Sequence, residues 1–192
     1  MILPIVAYGM PVLRKIAEEI DADYPGLQEL IRNMWETMYK SNGVGLAAPQ
    51  INRSIRLFLV DSKQIIENLD EDEKDLYPGD EFIRQVFINA NVEAVDGDPW
   101  EYNEGCLSIP KIRDDIKREP NVTISYDDEN FVQHTRSYTG ITARIILHEY
   151  DHIEGKLFID HLPLLKRKLL KSKLNDISKG KIRVDYRMSF PG

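Results

Sequence analysis

Cysteine is almost absent from this sequence, and long hydrophobic runs are absent altogether. The 192 residues include a single cysteine, Cys106, so no internal disulfide is possible, which agrees with a reducing compartment. No run of about 18 apolar residues exists, so we expect no membrane span. The N-terminal stretch MILPIVAYGMPVLRK lacks a charged region followed by an apolar stretch and a cleavage site. We therefore expect a cytoplasmic protein.

A net positive charge is also lacking. The formal charge is −7, which argues against duplex DNA as the main partner. Residues 67–81 carry eight acids and one lysine, whereas residues 162–192 carry nine lysines and arginines and two aspartates. We expect a single domain over residues 1–192, with an acidic solvated loop at about 62–84 and a basic C-terminal helix and tail at about 162–192.

Hydrophobic periodicity predicts three helices. Apolar residues recur at intervals of three and four over residues 24–43, which is typical of an amphipathic helix packed on a core. Residues 139–155 are apolar on most sides and end at Gly155, which predicts a helix through the middle of the domain. Residues 162–180 predict a second amphipathic helix, this one basic.

The remaining apolar segments predict strands. Residues 56–62 and 85–95 are short apolar runs, residues 121–138 predict a hairpin, and the alternating tail 181–190 could add a strand. The strands come first and the central helix later, which favours an α+β domain. We expect antiparallel or mixed β-sheets around the central helix, with an N-terminal and a C-terminal helix on either side of it in sequence.

The central helix carries His148-Glu149-Tyr150-Asp151-His152. Residues four apart lie on the same helical face, so both imidazoles can reach one metal ion. Ile141 and Ile145 continue that stripe, so we expect the ligand face to point into the protein. Glu149 lies about 100° around the helix, where it is poorly placed as a third ligand but can take a proton from a water at the metal.

A catalytic metal of this kind needs a third protein ligand. Metalloproteases with this helix often follow the pattern His-x-x-x-His-x-x-Gly-x-x-His, in which the last histidine is the third ligand. Here that last position is Phe158, which cannot ligate. Glu154, Asp160 and His161 stay open as alternatives. Cys106 is the better candidate. It lies in the stretch 103–113, which we interpret as a glycine-bearing loop, and a thiolate with two imidazoles suits zinc or ferrous iron.

The stretch Gly43-Val44-Gly45-Leu46-Ala47-Ala48-Pro49-Gln50 follows the end of the first helix. Its small residues let another backbone approach closely, and Gln50 offers an amide donor. A helix-ending turn with a polar residue at its edge is the alternative interpretation.

Three strings together resemble the peptide deformylase family, in its bacterial form. They are residues 43–50, Glu104-Gly105-Cys106-Leu107-Ser108, and the His-Glu-x-x-His helix, in that order, and the resemblance runs from about residue 3 to 165. It implies a metallo-hydrolase that removes the formyl group from the N-terminal formyl-methionine of new polypeptides and releases formate.

The resemblance also implies a role for each matching residue. Cys106, His148 and His152 would hold the metal, usually one Fe²⁺ per chain, which Zn²⁺ or Ni²⁺ can replace in purified protein. Glu149 would be the general base. Gln50 and the backbone N–H of Leu107 would donate to the oxyanion. The substrate would be bound by Gly45, Gly105, Arg113 and Ile145, with Ile141 and Leu147 as further candidates for an apolar methionine pocket.

Two features depart from the family pattern. Lys111 stands where the family often has glycine, and a basic helix followed by a strand-like tail leaves the subtype open. Exposed basic residues of that helix could contact ribosomal RNA through phosphates; they are Lys166, Arg167, Lys168, Lys171 and Lys173.

Two rival functions stay open at this point. One is a zinc endopeptidase that uses the same helix, and the other is a binding module that has lost catalysis, although the presence of Glu149 gives no sign of such a loss.

Overall fold

The fold was analysed in a computed structural model that describes residues 1–67 and 82–191. Within these residues the helices are α1 (Leu27–Lys40), α2 (Lys63–Glu67), α3 (Gly140–Ile153) and α4 (Leu164–Ser178). Short 3₁₀ helices cover Pro11–Arg14, Ala48–Ile51 and Phe158–His161. The strands are β1 (Ile5–Val6), β2 (Gly45–Ala47), β3 (Leu57–Asp61), β4 (Arg84–Asp96), β5 (Trp100–Cys106), β6 (Ile109–Arg118), β7 (Asn121–Asp127), β8 (Gln133–Tyr138) and β9 (Met188–Ser189).

The strands form three sheets. The largest is antiparallel, has five strands in the order β2-β3-β4-β7-β8, and leaves β2 at one edge. Strands β5 and β6 form an antiparallel pair, and β1 pairs with β9 in parallel. The predicted α+β class, with antiparallel and mixed sheets, is therefore confirmed.

Helix α3 lies inside the molecule, as the sequence predicts. Eleven of its fourteen residues are buried, and it packs on β2 and β3. Ala143 and Ile146 share a core cluster with Phe58 and Phe87, whose rings stack with centroids 4.7 Å apart. Because α3 is surrounded by apolar side chains, polar groups on it lie in a poorly solvated environment.

Gly155 ends α3 for two reasons. Its φ of +70° is the left-handed conformation that favours glycine after a helix. A Cβ at this position would also lie 2.9 Å from the main chain of Arg14. The glycine therefore fixes both the end of the helix and the packing of the N-terminal segment on it.

Most of the predicted elements are confirmed. The helix predicted at 24–43 is α1, the strands predicted at 56–62 and 85–95 are β3 and β4, and the hairpin predicted at 121–138 is β7 and β8. The basic helix predicted at 162–180 is α4.

Three predictions need correction or fall outside the described residues. The stretch 103–113 is not a loop but the part of the β5–β6 pair around its turn, which places Cys106 at the end of a strand. Of the predicted loop 62–84, residues 63–67 are helical and 68–81 lie outside the described residues. The tail forms a strand only at Met188–Ser189.

Candidate active site

Two elements bring the predicted metal ligands together. His148 and His152 come from α3, and Cys106 comes from the end of β5. The possible ligand atoms of these three side chains lie within 4.8 Å of one another, and the Cys106 sulfur is 3.2 Å from Nε2 of His152. Within residues 1–67 and 82–191, this is the one group of three such side chains close enough to hold an ion.

The electrostatics of this cluster favour a thiolate. Burial raises the pKa of the Cys106 thiol, but the charge of His152 and hydrogen bonds with His148 and His152 outweigh burial and lower that pKa to about 5. A deprotonated sulfur is the form that binds metal. The donor set of one sulfur and two ring nitrogens therefore fits zinc or ferrous iron.

A buried carboxylate holds His148 in place. Nδ1 of His148 is 2.9 Å from Oε2 of Glu104, which leaves the other ring nitrogen free to ligate. Glu104 in turn accepts hydrogen bonds from Arg118 and Arg144. Burial raises the pKa of Glu104, but its hydrogen bonds with His148 and Arg118 lower the pKa further, so the group stays ionised.

The network continues beyond the metal cluster. Nη1 of Arg118 donates to Oδ2 of Asp151 over 2.8 Å, and Nε2 of His161 lies 2.7 Å from the same oxygen. The sequence interpretation missed these partners. A signal was available, because Arg144 and Asp151 are charged residues on a helix that was predicted to be buried, and buried charges need partners.

Glu149 lies where a general base could act on a water at the metal cluster. Its side chain is buried next to the metal cluster, and Oε2 makes no hydrogen bond within the described residues. Burial raises the pKa of Glu149 to about 7. A Cβ on Gly45 would collide with this carboxylate, so the glycine lets β2 approach the base closely.

Gln50 points its amide at the same cluster. The side-chain oxygen accepts from the backbone N–H of Ala47 over 2.8 Å, which fixes the orientation of the amide. Nε2 is then 3.5 Å from the sulfur of Cys106. Gln50 is therefore a buried donor beside the metal cluster and not only the polar edge of a turn.

A cleft of about 600 Å³ opens onto these groups. Its lining includes four residues that the resemblance implies bind substrate: Gly45, Gly105, Arg113 and Ile145. Ile141 and Leu147 are buried but do not line it. Lys111 also lines the cleft and has a φ of +60°, a backbone conformation that explains why glycine suits this position.

The three alternative ligands lie outside the cluster. Glu154 pairs with Arg56 over 2.7 Å, Asp160 pairs with Arg14, and His161 binds Asp151. Phe158 stacks on His148 with ring centroids 6.1 Å apart. A third ligand downstream of the helix motif is therefore not favoured.

In this α+β fold, a sulfur from the end of a strand meets two imidazoles and a buried carboxylate from an inner helix. This arrangement defines a metal-dependent hydrolase of the His-Glu-x-x-His kind. The family model described as polypeptide deformylase matches residues 2–168. The chain belongs to the polypeptide deformylase family.

Relatives and solved structures agree with this assignment. The chain is 55% identical over 193 residues to the peptide deformylase of Christiangramia forsetii, covering 100% of this chain and 97% of the relative. It is 52% identical to that of Flavobacterium psychrophilum, covering 98% and 96%. The crystal structure of a peptide deformylase from Legionella pneumophila superimposes with a TM-score of 0.78 at 34% identity, covering 96% of this chain and 99% of that chain.

Proposed function

We propose that this protein removes the formyl group from the N-terminal formyl-methionine of newly made polypeptides. The products are formate and a free amine. The observation that carries the proposal is the convergence of a Cys-His-His cluster, a buried carboxylate and an amide donor at one end of a cleft. Family membership supports the same reaction.

Cys106, His148 and His152 would hold the metal. A divalent metal held by these residues would polarise the formyl carbonyl and lower the pKa of water. We propose one Fe²⁺ per chain, with Zn²⁺ or Ni²⁺ able to replace it, because a thiolate and two imidazoles accept each of these ions. Glu104 keeps the His148 ring oriented toward that position.

Glu149 is the proposed general base. Its buried carboxylate takes a proton from the attacking water and passes it to the nitrogen of the leaving amine. A base with a pKa near the working pH is well suited to both transfers. Burial, which removes the carboxylate from water, is the main reason that the pKa of Glu149 is raised.

Gln50 and the backbone N–H of Leu107 are the proposed oxyanion donors. The oxygen of the formyl group becomes negatively charged as water adds, and donors that are already oriented stabilise that charge. The hydrogen bond from Ala47 holds the Gln50 amide in position before substrate arrives. Loss of one such donor typically costs about 10²–10³ in rate.

The substrate backbone would bind along β2. This strand is at the edge of the five-stranded sheet, so its outer side can accept an extended peptide. Gly45 and Gly105 both line the cleft, while Ile145 and Arg113 contribute an apolar and a charged surface. Backbone pairing recognises peptides with little regard to their sequence, which suits a general processing enzyme.

Two further proposals concern where the enzyme works. No helix in the described part of the chain is long and apolar enough to cross a membrane. Because nascent formyl-methionyl chains are its substrate, we place the enzyme in the cytoplasm. Helix α4 offers a basic surface for transient contact with ribosomal RNA, and its residues Arg167, Lys168, Lys171 and Lys173 are all exposed.

A formate-release assay tests the proposed reaction. Formyl-Met-Ala-Ser is incubated with anaerobically purified enzyme, with acetyl-Met-Ala-Ser as the control and metal analysis of the same sample. We expect stoichiometric metal and formate release from the formyl peptide alone. Cys106→Ala should lose most of its metal and activity, whereas Glu154→Gln should keep both. Turnover by Cys106→Ala at the wild-type rate would contradict the proposal.

A further inference from the structure

The chain after α4 returns to the cleft. Residues 181–187, here called the C-terminal strap, follow Gly180 and lead into β9. Strand β9 is held by β1, because the N–H of Ile5 donates to the carbonyl of Arg187 over 2.9 Å. The strap is therefore fixed at its far end and is part of the folded molecule.

Tyr186 joins the strap to the metal site. Its hydroxyl donates to the carbonyl of Leu107 over 2.8 Å, directly after the ligand Cys106. Its ring packs in the core cluster that also contacts Leu107. Burial and the nearby sulfur both raise the pKa of Tyr186, so it stays a neutral donor. The strap is therefore anchored beside the reacting end of the cleft.

The strap also supplies charges to the cleft wall. Burial alternates along it, so that Ile182, Val184 and Tyr186 face inward while Arg183 and Asp185 are exposed. Arg183 and Asp185 both line the cleft. Arg183 is three residues from Tyr186, at most about 10 Å along an extended chain. In an extended peptide whose first residue is at the metal site, residues two to four lie up to about 10 Å from that site, which is the same range.

Positive charge dominates the exposed part of the cleft lining. Its exposed charged residues are three cations, Lys111, Arg113 and Arg183, and one anion, Asp185. None of the three cations forms an ion pair with the residues that the structure describes. Arg113 donates to Asn103, an uncharged partner that leaves its charge uncompensated. Unpaired cations on a cleft wall attract carboxylates in a bound peptide.

We propose that Lys111 and Arg183 form a basic rim that favours formyl-methionyl peptides with acidic side chains at residues two to four. This inference rests on the proposed function and deepens it, because it assigns a preference beyond the first residue of the substrate. The strap thereby becomes a specificity-determining element of the cleft. The contacts are solvent-exposed, so the preference is moderate and weakens as salt is added.

A charge reversal tests the rim. The value of kcat/KM is measured by formate release for formyl-Met-Asp-Asp-Ala and formyl-Met-Lys-Lys-Ala, both amidated, at low and at high salt. The wild type should favour the acidic peptide at low salt. Arg183→Glu should shift the acidic-to-basic ratio by roughly three- to tenfold toward the basic peptide, and high salt should remove the shift. Lys111→Glu should act in the same direction.

Arg187→Glu is the matched control, since Arg187 is exposed on the same strap but does not line the cleft. It should keep the wild-type ratio. An unchanged ratio in Arg183→Glu, or an equal change in Arg187→Glu, would overturn the basic rim while leaving deformylation itself intact. If the wild type released formate from neither peptide, the proposed function would fail and the rim with it.

Discussion

Helices α3 and α4 are close in length and opposite in surroundings. Eleven of the fourteen residues of α3 are buried, whereas α4 buries only Leu174 and Ile177 of its fifteen. On α4, Leu165 and Leu169 are 70% and 74% exposed, and lysines surround them. Both helices carry several ionisable groups. The difference teaches that burial, and not the number of charged residues, decides which ionisable groups need buried partners or have shifted pKa values.

Burial acts on α3 by forcing each polar group to find a partner or shift its pKa. His148 is paired with Glu104, Asp151 with Arg118, and Glu149 has its pKa raised. On α4, Lys166 pairs with Asp114 at the surface, where such a pair contributes little to stability. The inner helix therefore carries the candidate site, and the outer helix presents a charged, exposed face.

The largest expected effect comes from the base on the inner helix. Glu149→Ala should lower kcat by about 10²–10⁴-fold while the metal content stays at the wild-type level, because the proposed base takes a proton from water and is not one of the three proposed ligands. Formate release and metal analysis on one sample measure both quantities. Lys168→Ala on α4 is the control and should leave both unchanged. Wild-type turnover in Glu149→Ala would remove this residue from the mechanism.

Removing a carboxylate from the buried network should destabilise the fold. Asp151→Asn leaves Arg118 with one ionic partner in place of two, and breaking a buried pair typically costs about 3–5 kcal/mol. The matched change on the outer helix, Asp176→Asn, should stay within about 0.5 kcal/mol. Denaturant unfolding of the two variants gives both values. Equal losses would mean that the contrast between the helices has no energetic basis.

A smaller effect is expected where the outer part of the chain contacts the site. Tyr186→Phe removes the hydrogen bond to the Leu107 carbonyl, and one such bond is worth about 1 kcal/mol, or about fivefold. If Tyr186 positions the oxyanion donor, kcat should fall while KM and metal content change little. Tyr126→Phe, which breaks a buried hydroxyl contact elsewhere, should lower stability but not kcat. A loss of stability alone in Tyr186→Phe would make the tyrosine purely structural.

The smallest effect on turnover is expected from the basic face of α4. Changing Arg167, Lys168, Lys171 and Lys173 to glutamine should leave kcat/KM on formyl-Met-Ala-Ser within about twofold, since none of them lines the cleft. Sedimentation with ribosomes at low salt should show weaker binding than the wild type, because phosphate contacts are lost. Unchanged sedimentation would refute the proposed ribosome contact.

The same contrast explains what the sequence could predict. Helix α3 could be predicted from the sequence, because its apolar residues cover most sides and its two histidines are four residues apart. The β5–β6 pair was missed because the inward side of β6 includes Asp114 and Arg118 among its isoleucines, which hides the alternation. The pairs Glu104–His148 and Arg118–Asp151 join segments that are 44 and 33 residues apart in sequence, and periodicity does not report such contacts.

The strap shows a further limit of sequence interpretation. The alternation of Ile182, Val184 and Tyr186 in the strap was visible and predicted a strand. Only Met188 and Ser189, which follow the strap, pair with β1. Whether an alternating segment becomes a strand depends on a free sheet edge beside it. That the strap lines the cleft depends on how the chain after α4 packs against distant segments, which no local pattern encodes.

The most direct test of the metal centre is X-ray absorption at the zinc edge of zinc-loaded full-length protein. The account predicts one sulfur at about 2.3 Å and two nitrogens at about 2.0–2.1 Å in the first coordination shell. Cys106→Ser should lose the sulfur signal. A wild-type shell made only of nitrogen and oxygen would contradict the convergence of Cys106 with His148 and His152 on a single ion.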